Sequence, residues 1–270
     1  DIDILAALWG SNTVAWYEND GSQGFTTHVI SNTASSAVSV YASDLDLDGD
    51  IDVLAVVWTG AVAWYENDGS QGFTKIAIDT SVSGPQSVVT IDLDLDGDID
   101  VLVSLHTADS VIWYENDGSQ GFTKHVIDSS ANGARSVIVV DLDADGDMDV
   151  VASLAVGNMV TWYENDGSQG FTKHVIDSSA TGTYAVYAAD VDGDGAVDIV
   201  SANSGSTVTW YESSKVVAGD PSSVPSVAPS GQPTCVPSGQ PSGQPSCVPS
   251  GQPTCVPSGQ PSDQPSCVPS

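Results

Sequence analysis

RSVIVVDLDADGDMDVVASLAVGNMVTWYENDGSQGFTKHVID, residues 135–177, holds one whole copy of the unit from which much of this chain is built. It divides into four short runs, Arg135–Asp141, Met148–Ala155, Asn158–Asn165 and Gly170–Asp177, rich in Val, Ile, Trp, Tyr and Thr. Such runs predict strands, and the Asp-Gly-Asp and Asn-Asp-Gly-Ser stretches between them predict turns. No run has the length and period of an amphipathic helix.

The same unit recurs along the chain. Trp-Tyr-Glu starts at Trp16, Trp64, Trp113, Trp162 and Trp210. Asp-x-Asp-x-Asp-Gly-x-x-Asp starts at Asp44, Asp92 and Asp141, and a fourth copy, DVDGDGAVD, runs from Asp190 to Asp198. Gly-Phe-Thr stands at Gly24, Gly72, Gly121 and Gly170. A period of 48 or 49 residues with four strands per repeat predicts an all-β β-propeller, or an open segment of one, with four-stranded antiparallel blades. The ends are ragged. Residues 1–31 hold the last three strands of a blade, residues 184–212 the first three of another, and three complete units lie between. The expected propeller occupies residues 1–219. Either a fragment of a larger ring or an unusual five-unit closure fits this count. The start at Asp1, without Met or leader, reads as a mature product or a fragment.

Composition excludes several partners. Acidic residues outnumber basic ones 36 to 5, for a formal net charge of −31. Nucleic acid and anionic membrane surfaces need clustered Lys and Arg and are excluded as partners. No apolar run is long enough to insert in a membrane as a helix. Hydrophobic content of 40% still allows a packed core. Cations are the natural counter-partner.

In the loop Asp92, Asp94, Asp96, Gly97, Asp100, three carboxylates at alternate positions converge if the chain curls tightly. Gly97 permits the positive φ that the curl needs. Asp100 at position 9 adds a fourth carboxylate, expected to be bidentate, and the backbone carbonyl of Asp98 at position 7 adds another oxygen. Six or seven hard oxygen ligands suit calcium. Zinc would need His or Cys, which these loops lack. An EF-hand would need Glu at position 12, where Ala55, Val103, Ala152 and Ser201 stand. The plainer reading is an acidic hairpin turn, but four copies in register, each gathering mutually repelling carboxylates, argue for an ion. Asp3 keeps only the end of such a motif and is not counted as a site.

These loops, their spacing and the strand pattern over residues 1–212 resemble the FG-GAP/VCBS repeats of integrin α-chain propellers and of bacterial and algal surface proteins. The resemblance implies about four calcium ions, held by side chains of Asp44, Asp46, Asp48 and Asp52; Asp92, Asp94, Asp96 and Asp100; Asp141, Asp143, Asp145 and Asp149; and Asp190, Asp192, Asp194 and Asp198. Position 7 is Asp50, Asp98 or Asp147 in the first three loops. The Phe-Gly half of the family pattern is poorly kept, since the matching stretch reads Gly-Ser-Gln-Gly-Phe-Thr. The resemblance also implies a secreted or cell-surface adhesion or recognition module that is not an enzyme. A lectin, or a non-catalytic accessory domain of a larger secreted enzyme, are the alternatives.

Other residues are weighed against plainer roles. Neighbouring Trp and Tyr point to opposite faces of a strand, so both are expected in packing. Trp9 and Trp58 share one repeat position with His106, Ala155 and Ser204, and a position that varies between near-identical copies is a candidate for ligand contact. His28, His125 and His174 recur where the second copy has Ile76, which argues for an outward position without a shared catalytic role. The Glu of each Trp-Tyr-Glu, such as Glu115, belongs to the scaffold.

After Lys215 the composition changes, and from Pro221 a proline falls at every fourth position. Residues 220–270 read as an extended low-complexity stalk that resembles the PSGQPS tails of algal surface proteins. Cys235, Cys247, Cys255 and Cys267 are spaced 12, 8 and 12 residues apart, unlike zinc ligands, and disulfides within the stalk or between chains are expected. The expected partner is an extracellular protein or glycan.

Overall fold

A computed structural model describes residues 1–213. The expected stalk, its four cysteines and residues 214–219 lie outside the described residues. Eighteen strands form five antiparallel sheets. The first contains β1 (Ile4–Leu8), β2 (Thr13–Asn19) and β3 (Phe25–Ser31). The second contains β4 (Ala37–Ser43), β5 (Asp52–Val57), β6 (Ala61–Asn67) and β7 (Phe73–Asp79). The third holds β8 (Pro85–Ile91), β9 (Asp100–Leu105), β10 (Ser110–Asn116) and β11 (Phe122–Asp128). The fourth holds β12 (Ala134–Val140), β13 (Asp149–Leu154), β14 (Met159–Asn165) and β15 (Phe171–Asp177). The last has β16 (Thr183–Ala189), β17 (Asp198–Asn203) and β18 (Thr207–Tyr211). Each sheet is a meander in chain order, the wiring of propeller blades. The first strands of the second to fifth sheets lie side by side, β4 by β8, β8 by β12, β12 by β16.

Consecutive apolar residues in the middle strands follow from this stacking. A middle strand has a blade on each face, so alternation is lost and all six residues of β5, β9 and β13 are buried. Leu54, Val56, Val62 and Trp64 pack toward the third sheet. Val53, Ala55, Val57, Ala63 and Tyr65 pack toward the first. The paired Trp-Tyr therefore serves two different interfaces, as the strand period requires. Outer strands such as β7 and β11 face solvent on one side and have no fully buried residue.

Polar ties cross the same interfaces. Tyr114 Oη donates to Asp79 at 2.9 Å, and Tyr163 Oη to Asp128 and Tyr211 Oη to Asp177 at 2.8 Å. Lys124 and Lys173 pair with the same Asp79 and Asp128. Hydrogen bonds from Ser81 and Ser130, the tyrosines and the lysines outweigh burial and hold both carboxyls down at about 2. In the first repeat Ser31 replaces this Asp, and the buried Tyr65 hydroxyl is left without a partner.

The recurring histidines are not simply outward residues. His28, His125 and His174 stack on Trp16, Trp113 and Trp162 at 4.2, 4.6 and 4.6 Å. Each also meets the Glu of its own Trp-Tyr-Glu, at 3.0, 2.7 and 2.6 Å for Glu18, Glu115 and Glu164. Where Ile76 replaces His, it packs in the core beside Trp64. Both are ways of covering the outer end of the tryptophan.

Candidate metal centre

Each Asp-rich loop joins the first two strands of a complete sheet or of the last one: residues 44–52, 92–100, 141–149 and 190–198. Position 6 is left-handed in every copy, with φ of 99° at Gly49, 103° at Gly97 and Gly146, and 88° at Gly195. Position 4 is left-handed as well, at Leu47 (60°), Leu95 (61°), Ala144 (61°) and Gly193 (79°). A side chain in this conformation costs about 1–2 kcal/mol, so the curl is held against backbone preference. The position 6 N–H donates to the position 1 carboxylate, as Gly97 does to Asp92 at 3.1 Å. The position 7 N–H donates to the position 5 carboxylate, as Asp98 does to Asp96 at 2.9 Å.

The curl gathers carboxylates. Ligand oxygens of Asp44, Asp46 and Asp48 lie within 4.8 Å of one another, as do those of Asp92, Asp94 and Asp96, and of Asp190, Asp192 and Asp194. In the third loop the group is Asp141, Asp143 and Asp149. The Oδ1 atoms of Asp44, Asp46, Asp92 and Asp141 are buried and accept no hydrogen bond. A buried carboxylate oxygen without a donor is costly unless a cation satisfies it. Burial and the neighbouring carboxylates push Asp46, Asp94 and Asp143 above the usual range. This donor set fits a calcium ion, which would supply the missing counter-charge and fix the loop.

Position 9 has a role that the sequence did not disclose. Asp52, Asp100, Asp149 and Asp198 are fully buried. Asp100 Oδ2 accepts from Leu93 N at 2.9 Å and its Oδ1 from Asn116 N at 2.9 Å. The other three repeat this fork, on Leu45 and Asn67, Leu142 and Asn165, and Val191 and Ser213. The carboxylate pins the start of the loop to the end of the third strand. Each oxygen keeps a second lone pair, so pinning leaves room for a metal contact. Asp3 contributes the same bond to Asn19 N at 2.8 Å in the first sheet. Burial pushes Asp100 and Asp149 up to about 7, against the pull of their two N–H donors. The position 7 side chains of Asp50, Asp98 and Asp147 lie over Gly69, Gly118 and Gly167 of the adjacent hairpin turn, so the carbonyl is the ligand that position 7 offers.

Two expected results separate these roles. Asp94→Asn removes a repelling charge without opening a cavity. It lowers calcium stoichiometry by one ion in calorimetry, while the melting temperature in metal-free buffer stays level or rises slightly. An unchanged stoichiometry would remove Asp94 from the ligand set. The second result concerns pH. Asp46, Asp94, Asp100, Asp143 and Asp149 have folded values above the unfolded one, so their contribution is complete below about pH 4 and is lost as pH rises, that of Asp100 and Asp149 through about 7. Metal-free protein therefore melts lower at pH 7.5 than at pH 4.5, and in calcium the order reverses because the ion needs ionised ligands. The low values of Asp79 and Asp128 act in a separate window, below about pH 4. Parallel pH profiles with and without calcium would contradict the assignment.

A second feature lies at the other end of the same strands. Trp9 and Trp58 sit 6.3 Å apart between ring centroids, and Trp58 and His106 5.9 Å apart, both tilted. Trp9 is half exposed. The repeat position that varies in sequence is thus a continuous aromatic row across three sheets, running out where Ala155 and Ser204 follow.

No described helix is long and apolar enough to cross a membrane. No curated protein matches the sequence. Among solved structures, virginiamycin B lyase from Staphylococcus aureus aligns with a TM-score of 0.51 at 12% identity, over 77% of this chain and 66% of that one. This likeness supports the fold alone. The V. cholerae biofilm matrix protein Bap1 aligns with a TM-score of 0.44 at 20% identity, over 75% of this chain and 32% of that one. The chain thus spans less than two thirds of the length of either structure. The model of the FG-GAP-like repeat matches residues 1–55, 44–103, 92–152 and 151–201, each match taking in at least one whole Asp loop, and on that match the chain belongs to the FG-GAP-like repeat family.

Proposed function

We propose that this chain is a calcium-binding extracellular module for adhesion or recognition, a binder and not an enzyme. The observation that carries the reading is the recurring carboxylate cluster with buried, donor-less oxygens. About four ions would neutralise part of the −31 charge and rigidify one rim of the stacked sheets. Extracellular calcium modules bind at about 10⁻⁴–10⁻³ M, which matches calcium outside cells and not the cytosolic level. The ligand would be an extracellular protein or glycan.

The aromatic row Trp9, Trp58, His106 favours the glycan among these ligands, because half-exposed Trp9 and partly exposed Trp58 and His106 can accept the apolar faces of sugars and the row breaks repeat symmetry. The test is capture of matrix proteins and of an arrayed glycan panel in millimolar calcium and in chelator. Binding in calcium, lost on chelation, is expected. Trp58→Ala weakens glycan binding at least about tenfold, about 1.4 kcal/mol. Capture that ignores calcium would sink the reading. Capture of a protein that survives Trp58→Ala would move the ligand from glycan to protein.

A further inference from the structure

The two ends of the strands differ in both charge and variability. At the end that carries the Asp loops, each loop holds three or four aspartates before position 9, and the hairpin turns beside them add Asp20, Asp68, Asp117 and Asp166. These turns read Asn-Asp-Gly-Ser-Gln-Gly in all four copies. At the opposite end lie the hairpins that follow β1, β5, β9, β13 and β17 and the links that precede β4, β8, β12 and β16. There the hairpins differ, reading Trp-Gly-Ser-Asn, Trp-Thr-Gly, His-Thr-Ala-Asp, Ala-Val-Gly-Asn and Ser-Gly-Ser. Asp109 is the one acidic residue in these hairpins and links, and its carboxylate accepts from Gly133 N at 2.7 Å. The fourth strands end nearby on Asp79 and Asp128, which pair with Lys124 and Lys173, and on Asp177, which accepts from Tyr211. Six residues of strand separate the two ends by about 20 Å, more than twice the ~8 Å screening length at physiological salt. The acidic end therefore repels little of what approaches the other.

Arg135, the one arginine of the chain, stands at this variable end, where Val38, Gln86 and Tyr184 hold the same repeat position. Its Cζ lies 4.0 Å from the centroid of the Tyr184 ring. Among the described residues no carboxylate pairs with it, although the chain is strongly acidic. Its carbonyl accepts from Ser104 Oγ at 3.1 Å, and Ser104 comes two residues before His106, which puts the backbones of Arg135 and His106 about 10 Å apart. Trp58, His106 and Arg135 are all partly exposed. They belong to the second, third and fourth sheets, each with a described neighbour on both sides, so the array itself sets their exposure. We propose, resting on the glycan reading above, that this end binds an anionic glycan, a chain of sugars bearing carboxylate or sulfate groups. Sugar rings lie on Trp58 beside His106, and an anionic group further along the chain pairs with Arg135. A guanidinium stacked on a tyrosine face leaves its in-plane N–H fork to an acceptor, and that fork matches two oxygens of a carboxylate or sulfate. The charge discriminates against neutral glycans, and the aromatic row discriminates against small anions.

Calorimetric titration of the full 270-residue chain in millimolar calcium tests this, with three probes of equal length: an oligogalacturonate, its carboxyl-reduced neutral form and a sulfated galactan oligosaccharide. At least one charged probe is expected to bind at least about tenfold more tightly than the neutral form, and which one it is separates carboxylate from sulfate. Arg135→Gln abolishes that preference and leaves the neutral form unaffected. Gln86 fills the same position in the third sheet, so the substitution suits the fold, and an unchanged melting temperature checks this. If it does not fold, Arg135→Lys keeps the charge without the fork and shows a reduced preference. Trp58→Ala weakens charged and neutral probes alike. Lys75→Gln, which removes one positive charge from β7, changes neither. Equal binding of charged and neutral probes by the parent, or a preference that survives Arg135→Gln, overturns the proposal and leaves the broader glycan reading in place. Failure of all three probes to bind also overturns it, and the broader reading then rests on the arrayed panel.

Discussion

Removal of calcium is expected to lower the melting temperature of this protein by about 10–40 °C. The estimate follows from binding linked to folding. An ion that binds only the folded chain stabilises it by RT ln(1 + [Ca]/Kd), about 1.4–2.7 kcal/mol per site at 10–100 times Kd. Four independent loops together contribute about 6–11 kcal/mol, the size of a whole domain's stability. A domain of about 200 residues shifts by about 2–4 °C for each kcal/mol. The physical origin is local. Four loops each crowd three carboxylates within 4.8 Å, and four of the oxygens so placed have no donor. Without an ion this arrangement repels itself, and with calcium bound the repulsion would become ligation. Calorimetric titration and paired thermal melts check the result. Saturation near four ions with a large drop on chelation is expected. Saturation without any change in melting temperature would mean that the loops fold equally well empty, and the ion would then be a surface passenger.

Asp100→Ala is the single substitution with the largest expected cost, about 2–6 kcal/mol even without calcium. The carboxylate is 1% exposed and accepts two backbone N–H groups, from Leu93 and Asn116. Truncation leaves both donors buried and unsatisfied, at about 1–3 kcal/mol each. The relief of desolvating a charge, which raises this carboxyl to about 7, offsets part of that cost above neutral pH. The loss is therefore greatest at low pH and smaller at pH 8, the opposite of the trend expected for a residue whose main work is ligating calcium. Urea unfolding in metal-free buffer at the two pH values measures it. A variant as stable as the parent without metal, and destabilised only in calcium, would make Asp100 a ligand and not a pin.

The repeat, the strands and the loops were legible because they depend on local chemistry. The expected runs at 135–141, 148–155, 158–165 and 170–177 meet the observed strands Ala134–Val140, Asp149–Leu154, Met159–Asn165 and Phe171–Asp177 to within a residue at every end. Gly at position 6 of each loop announced the left-handed turn. Position 4 was hidden because Leu47, Leu95 and Ala144 give no such signal, and the one hint was Gly193 in the fourth copy. The stacking of the histidines on Trp16, Trp113 and Trp162 was not legible, since it needs the cross-strand register between the third and fourth strands of the repeat.

By itself, the sequence determined the period, the antiparallel blades, the two-sided burial of Trp-Tyr and the gathering of carboxylates, because each follows from residues close together in the chain. The tertiary structure decided the rest. Position 9 becomes a pin because the N–H of Asn116, 16 residues on, arrives from another strand. Trp9, Trp58 and His106 form a row because three hairpins from three repeats come to one rim. Val208 and Ile4 are exposed, although their repeat equivalents are buried, because burial in a stacked array belongs to the neighbour and not to the residue.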